Sequence, residues 1–406
     1  MPSCSSRGPV WALFLAVAAG GCVHGAPAGP VGPQGPPQRT LATLPREVLE
    51  RGAASLDVTI RERSLALLVE HAPGEDLAAF ARRGLFDPSR YVRRKVVDTL
   101  AARLPEQEAA TLLCEALARA DMDPFARAWA GAALVAQGDR EAAAGLAEAW
   151  RAERNAWDRA PLALAAMVAG DPEAEAALAA ALREGSVPLE PRLFLDLGRA
   201  GHSGLVPALR EARLLVEEEL LLPLGVALLL LGDPEGQDIV GGVLSGDDEL
   251  AGMEAVDLLR DLEGPGAGAL LARARGGRAG IVRTYADLVD VGRGQASVSG
   301  AVAAAQTDDP DQRCLAYEAI GEALGRLPRA EPLRRPERTA HDLVLQALDD
   351  AVPAFRACAA RALGGVVREP DRALLEERLR QPAADADVED LQVEVAGALL
   401  RLTPGG

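Results

Sequence analysis

Lysine and asparagine are almost missing. Lys95 and Asn155 are single occurrences, against dozens of Arg, Ala and Gly. The skew fits codon bias in a GC-rich genome better than a functional demand. Aromatic residues are only 3% of the chain, which disfavours a β-sandwich or barrel built on aromatic and β-branched residues. Abundant Ala and Leu favour helices instead. Positive charge is also scarce, with Lys+Arg 43 against Asp+Glu 60 and a net charge of −17. That balance argues against nucleic-acid binding, which needs a basic face to neutralise phosphates. It argues equally against electrostatic docking on anionic lipid.

What is present begins with an address. Val10 to Ala19 is an apolar stretch behind Arg7. It is shorter than the roughly 20 residues of a bilayer span and suits the core of a cleavable signal over residues 1–21. Ala19-Gly20-Gly21-Cys22 resembles a bacterial lipobox, in which small residues precede a cysteine that becomes the lipidated N-terminus. The resemblance implies lipidation at Cys22, with Ala19 standing where the family usually has a larger aliphatic residue. An ordinary secretory signal cut near Gly25-Ala26 is the alternative. Residues 22–44 then read as a lipid-anchored linker. Gly29-Pro30-Val31, Gly32-Pro33-Gln34 and Gly35-Pro36-Pro37 are three collagen-like triplets, too few for a triple helix. As a polyproline II tether, Val23 to Gln38 spans about 50 Å.

From residue 45 to 403 one pattern recurs. An Asp-containing turn precedes an Arg, then Ala and Leu at helical spacing. Examples run from Asp87 to Arg93, Asp123 to Arg127, Asp309 to Arg313 and Asp350 to Arg356, with a weaker copy from Asp57 to Arg61. Gly138-Asp139, Gly170-Asp171-Pro172 and Gly232-Asp233-Pro234 punctuate the helices. Gly stops one helix in the αL conformation, and Asp caps the next. Second helices are expected to start near residues 57, 88, 123, 157, 188, 216, 247, 277, 309, 351 and 386. A period of this size marks a repeat array, in which each hairpin buries its apolar face only by stacking. The expected fold is all-α, an α-solenoid of about eleven stacked helical hairpins.

The Asp…Arg…Ala…Ala-Leu turn-and-helix resembles the HEAT-repeat superfamily, most closely its short Ala-rich form named after phycobilisome lyases. By resemblance, Arg61, Arg93, Arg127, Arg159, Arg192, Arg283, Arg313 and Arg356 are candidates for an Asp–Arg ladder along the stack. Glu217-Glu218-Glu219 and Glu254 depart from that pattern. Leu220 to Leu231 reads as a helix buried on all sides rather than a membrane span, being twelve residues with Pro223 inside. Gly264 to Gly300 is Gly-rich, so its hairpins are expected to be less regular. Leu327 to Arg338 is a basic insertion with three prolines, expected as a surface loop.

No catalytic constellation emerges. His24, His71, His202 and His341 are scattered without metal-ligand spacing. Some HEAT-like hydroxylases carry paired His-Glu motifs for iron, but no His here is followed by Glu. Cys114, Cys314 and Cys358 lie among apolar helix residues and read as packed free thiols. Cys314 and Cys358 fall at nearly the same point of adjacent repeats, so a disulfide is the minority alternative. Trp129, Trp150 and Trp157 cluster with Phe125. They are either an anchor for a partner on the concave wall or filling between repeats.

The expectation is a monomeric, non-catalytic scaffold or adaptor without a cofactor. It faces the periplasm from the outer membrane and holds a protein or peptide on its concave face. Its only membrane contact is the lipid anchor, and it binds no nucleic acid. A lyase-like enzyme acting on a tetrapyrrole is one alternative, implied by the resemblance. A cytoplasmic regulator of the same repeat type is the other.

Overall fold

The computed structural model describes residues 43–402, apart from residues 105, 120, 121, 188–190, 261, 263, 264, 278, 279 and 384. The proposed signal, Cys22 and the Pro/Gly linker lie outside the described residues. Among the described residues the chain is helical, and its helices pair as eleven hairpins. The first four pairs are α1 (Thr43–Gly52) with α2 (Val58–His71), α3 (Gly74–Leu85) with α4 (Arg90–Ala102), α5 (Gln107–Ala118) with α6 (Pro124–Ala136), and α7 (Arg140–Ala152) with α8 (Ala156–Val168). Next come α9 (Pro172–Glu184) with α10 (Pro191–Ala200), α11 (Val206–Ala212) with α12 (Glu218–Leu230), and α13 (Pro234–Ser245) with α14 (Glu249–Arg260). The last four are α15 (Pro265–Gly276) with α16 (Ile281–Gly292), α17 (Val298–Ala304) with α18 (Pro310–Gly325), α19 (Arg335–Ala347) with α20 (Pro353–Val366), and α21 (Arg372–Arg380) with α22 (Ala386–Leu402). All eleven second helices begin within four residues of the positions expected from the turn motif. The fold is an α-solenoid of stacked hairpins. No described helix is long and apolar enough to cross a membrane.

The punctuation works by the expected chemistry. Gly138, Gly170 and Gly232 sit at φ +86°, +95° and +78°, backbone that a side chain would strain. Asp57, Asp139, Asp171, Asp233 and Asp309 each accept a backbone N–H at the start of the next helix. Each such cap stabilises a helix start by about 1 kcal/mol. Among the described residues of the Gly-rich stretch, α15 and α16 have 12 residues each, Gly280 offers α16 no side-chain cap, and α17 is short, with 7. Stacking on neighbours overrides the low helix propensity of glycine. The basic insertion after α18 is tied down, because Arg329 donates to the Gly364 carbonyl at 3.1 Å and to the Arg401 carbonyl.

The described residues form two compact units. The first comprises residues 81–273. The second joins residues 43–80 to residues 274–402, so its first hairpin is packed against its last. Arg51 donates to Gln392 at 2.8 Å, Ser55 to Glu389 at 3.2 Å and Arg63 to Asp390 at 2.8 Å. The glycines of this junction allow the approach: a Cβ on Gly52 would lie 3.0 Å from Val393, and one on Gly397 would lie 2.8 Å from Leu67. Helix α22 is correspondingly buried at Gln392, Val393 and every residue from Val395 to Leu400. A terminal repeat that faces water needs a polar outer face; here α1 and α2 cover one side of α22, and its Asp390 and Glu394 pair with Arg63 of α2.

In this second unit Cys314 of α18 and Cys358 of α20 form a disulfide, with their Cα atoms 5.2 Å apart. The minority reading of these cysteines is therefore the one the structure contains. The physical reason is a seam of small residues. A Cβ on Gly321 would lie 2.9 Å from the Ala362 carbonyl oxygen, and one on Gly325 would lie 3.2 Å from the Gly365 Cα. Bare backbones let α18 and α20 approach closely along this seam, which puts the two cysteines within disulfide reach.

Candidate functional site

The turn motif places the candidate ladder arginines at the start of each second helix. Arg93 and Arg313 reach from one hairpin to the next: Arg93 lies 3.2 Å from Asp123 and Arg313 lies 2.7 Å from Asp350. Asp123 makes no cap bond with its side chain and receives Arg93 instead. Arg61, Arg127 and Arg356 serve the turns themselves. Arg61 donates to the Ser55 and Leu56 carbonyls, Arg127 to Leu117, and Arg356 to Asp350 and Ala351. Arg159 stacks over the Trp150 ring, Arg192 lies 3.8 Å from Asp196 one turn along its own helix, and Arg283 is exposed.

The three candidate tryptophans do not share one environment. Trp150 is 3% exposed, and its indole N–H donates to Asp171 at 3.0 Å. That aspartate also caps α9, so the ring is fastened into the seam between α7 and α9. Trp129 is half-buried beneath the guanidinium of Arg94, 4.5 Å from the ring centroid. Trp157, at the second position of α8, is 61% exposed.

Arg94 also reveals the curvature of the first unit. Its Nη1 lies 3.9 Å from Asp196, although α4 and α10 are three hairpins apart. Helices packed in series at 8–10 Å would separate straight-stacked partners by about 25–30 Å. The unit therefore bends with its second helices inside. Asp196 is 5% exposed and receives Arg192 and Arg199 as well, at 3.8 and 3.9 Å. Burial pulls the Arg94 guanidinium below its ordinary value, opposed by Asp196 and Asp98. The inner wall at Trp129 is thus covered by the unit's own side chains.

The second helices of the other unit carry a half-buried polar stripe. Arg63 on α2 pairs with Asp390 and Glu394 on α22, at 2.8 and 3.0 Å. Arg361 on α20 lies 3.5 Å from Glu318 on α18. Burial pushes the Glu394 carboxyl up, countered by Arg63 and then by Arg401 and Arg361 and reinforced by Asp390. The stripe alternates in sign across four second helices, and its members are partly exposed. Composition reasoning did not find it, because its members are ordinary helix residues that only stacking brings into line.

His341 on α19 bridges Asp342 and Asp371, each at 2.9 Å. Two carboxylates on one ring require both nitrogens to donate, which is the imidazolium form. The Asp371 bond is the main reason the His341 pKa is raised, against the cost of burial. Burial alone would raise Asp371, but bonds from His341 and the Arg368 N–H outweigh it and hold the carboxyl low. The histidine contribution is full below about pH 6.5 and is lost as pH climbs through the raised value. The aspartate contribution is full above about pH 3.9 and is lost as pH falls through the lowered value. His341→Gln is expected to cost about 1–2 kcal/mol near pH 5.5 and less at pH 9. Urea unfolding of both proteins across that range checks it, and a cost that grows with pH would contradict it.

Among the described residues no group of three or more His, Cys, Asp or Glu is arranged to hold a metal ion. No family model matches the chain, and no curated protein matches it. Solved structures do. Human deoxyhypusine hydroxylase in complex with glycerol matches 79% of this chain and 96% of its own, at 17% identity and a TM-score of 0.27. An engineered protein matches 90% of this chain and 100% of its own, at 18% identity and a TM-score of 0.23. Similarity at this level carries no inference about activity.

Proposed function

We propose that this chain is a non-catalytic scaffold of the HEAT-repeat type that holds a protein or peptide against its second-helix face, on the outer membrane's periplasmic side. The observation that carries the binding role is the partly exposed stripe of alternating charge formed by Arg63, Glu394, Arg361 and Glu318. A peptide lying along it meets paired donors and acceptors at successive helices, a pattern suited to polar recognition with register. The Cys314–Cys358 disulfide supports the envelope address, since such bonds persist in oxidising compartments. Lipidation of Cys22 completes the reading.

Two experiments test it. A photo-crosslinking amino acid at Glu318 or Arg361 should capture a discrete partner in cells, whereas one at first-helix positions such as Arg338 should not. Capture from Arg338 alone would overturn the assignment of the face. Cys22→Ala should shift the protein from the membrane fraction to the soluble periplasm. A chain that keeps a free Met1 and fractionates with the cytosol would defeat the envelope reading and favour the cytoplasmic regulator.

A further inference from the structure

The exposed large apolar side chains are not scattered. Among the described residues, nine of eleven lie in the turn from first to second helix of a hairpin, or in the first two residues after it. In the unit of residues 81–273 these are Phe86, Tyr91, Trp157, Leu214, Leu215 and Leu250. In stacked hairpins all such turns line one edge, while the return turns line the other. The return edge carries the Gly-Asp punctuation of Gly138, Gly170 and Gly232 and none of these six side chains. A turn at random exposes an occasional leucine; confinement to one edge is a pattern.

The row is densest at two adjacent turns. Leu214 and Leu215, before α12, are 86% and 50% exposed, and Leu250, at the start of α14, is 76% exposed. Around them Glu217, Glu218, Glu219, Asp247, Asp248 and Glu249 are all exposed. Arg213 is the one described cation of these two turns, and it is turned to Glu235. The acidic ring is confined to these two turns: Trp157 has the exposed Arg154 and Arg159 beside it as well as Asp158, and Arg119 and Arg90 lie over the rings of Phe86 and Tyr91. Apolar anchors ringed by carboxylates select a particular ligand. An anionic lipid surface is repelled, and a second copy would bring acid against acid. A basic segment with its own apolar stripe satisfies both features.

We infer that these two turns dock a basic amphipathic helical segment of another protein, with Leu214, Leu215 and Leu250 taking its apolar face and the exposed Glu217, Glu218, Glu219 and Glu249 its cations. The surface is separate from the second-helix stripe, so either can fail without the other. It also gives a role to part of the net charge of −17. Hydrophobic contact supplies the anchor, and opposite charge speeds encounter and sets orientation.

The probe is an 18-residue peptide of lysine and leucine, with leucine at i, i+3, i+4 and i+7, labelled for fluorescence anisotropy and titrated with the full chain. Wild type should bind it, and the affinity should fall steeply between 50 and 300 mM salt. Leu214→Ser/Leu250→Ser should weaken binding at least tenfold with an unchanged melting curve, because those two side chains are 86% and 76% exposed. Glu217→Gln/Glu218→Gln/Glu219→Gln should weaken it similarly and flatten the salt dependence. A matched lysine and serine peptide should bind at least tenfold more weakly than the leucine peptide. Equal binding of both peptides, or of wild type and the leucine variant, would overturn the inference. So would a failure of wild type to bind, its capture by phosphatidylcholine vesicles, or a dimer in sedimentation that the leucine variant dissolves.

Discussion

Asp196→Ala lowers the stability of the 81–273 unit by about 3 kcal/mol, the range for an ion left buried without its partner. Asp196 is 5% exposed and Arg94 14% exposed, so the pair sits where water cannot replace it. With the carboxylate gone, Arg94 keeps only Asp98 at 3.7 Å, itself 40% exposed, and the Trp129 ring. The contact also joins helices three hairpins apart, so its loss relaxes the bend as well as the charge balance. Arg94→Met in the same chain should recover about half the loss by removing the stranded cation. Guanidinium unfolding followed by tryptophan emission measures both, since Trp129 lies under Arg94. A single-variant loss below about 1 kcal/mol would place Asp196 among surface-type ion pairs.

Cys314→Ala/Cys358→Ala is expected to cost the second unit about 4 kcal/mol. The bond closes a loop with a sequence separation of 44, and chain entropy in the unfolded state sets the scale. Reductant should reproduce the effect in the wild type and do nothing further to the variant. Non-reducing peptide mapping should show Cys314 linked to Cys358, with Cys114 unlinked. Two free thiols at 314 and 358 in protein purified from the envelope would refute the bond. Oxidised protein recovered only after exposure to air would instead weaken the compartment argument made from it.

Local chemistry made much of the architecture readable. Asp at N-caps, Gly in the left-handed region and Ala-Leu spacing are short-range signals; the Gly-Asp pairs mark return turns, and the turn motif with its period put every second helix within four residues of its start. The candidate tryptophans show the opposite case. They are alike as residue types and close in the chain, yet Trp150 is fastened to Asp171, Trp129 lies under Arg94 and Trp157 faces solvent. Helical phase and the neighbouring repeat decide which is covered, and neither is written in a residue's identity. The cysteines follow the same logic, for a disulfide between helices depends on backbone approach, which here rests on Gly321 and Gly365 facing each other across the seam.

By itself the sequence determined an all-α repeat array, its period, its helix starts and its excess of acid, because each depends on residues within one or two turns of each other. Tertiary structure alone decided three further features. The first hairpin covers the last through Arg51, Ser55 and Arg63. Arg94 reaches Asp196 across three hairpins. The charges of α2, α22, α20 and α18 fall into one stripe. All three are set by the small rotation from each hairpin to the next, which accumulates along the stack from side-chain packing that no single repeat contains.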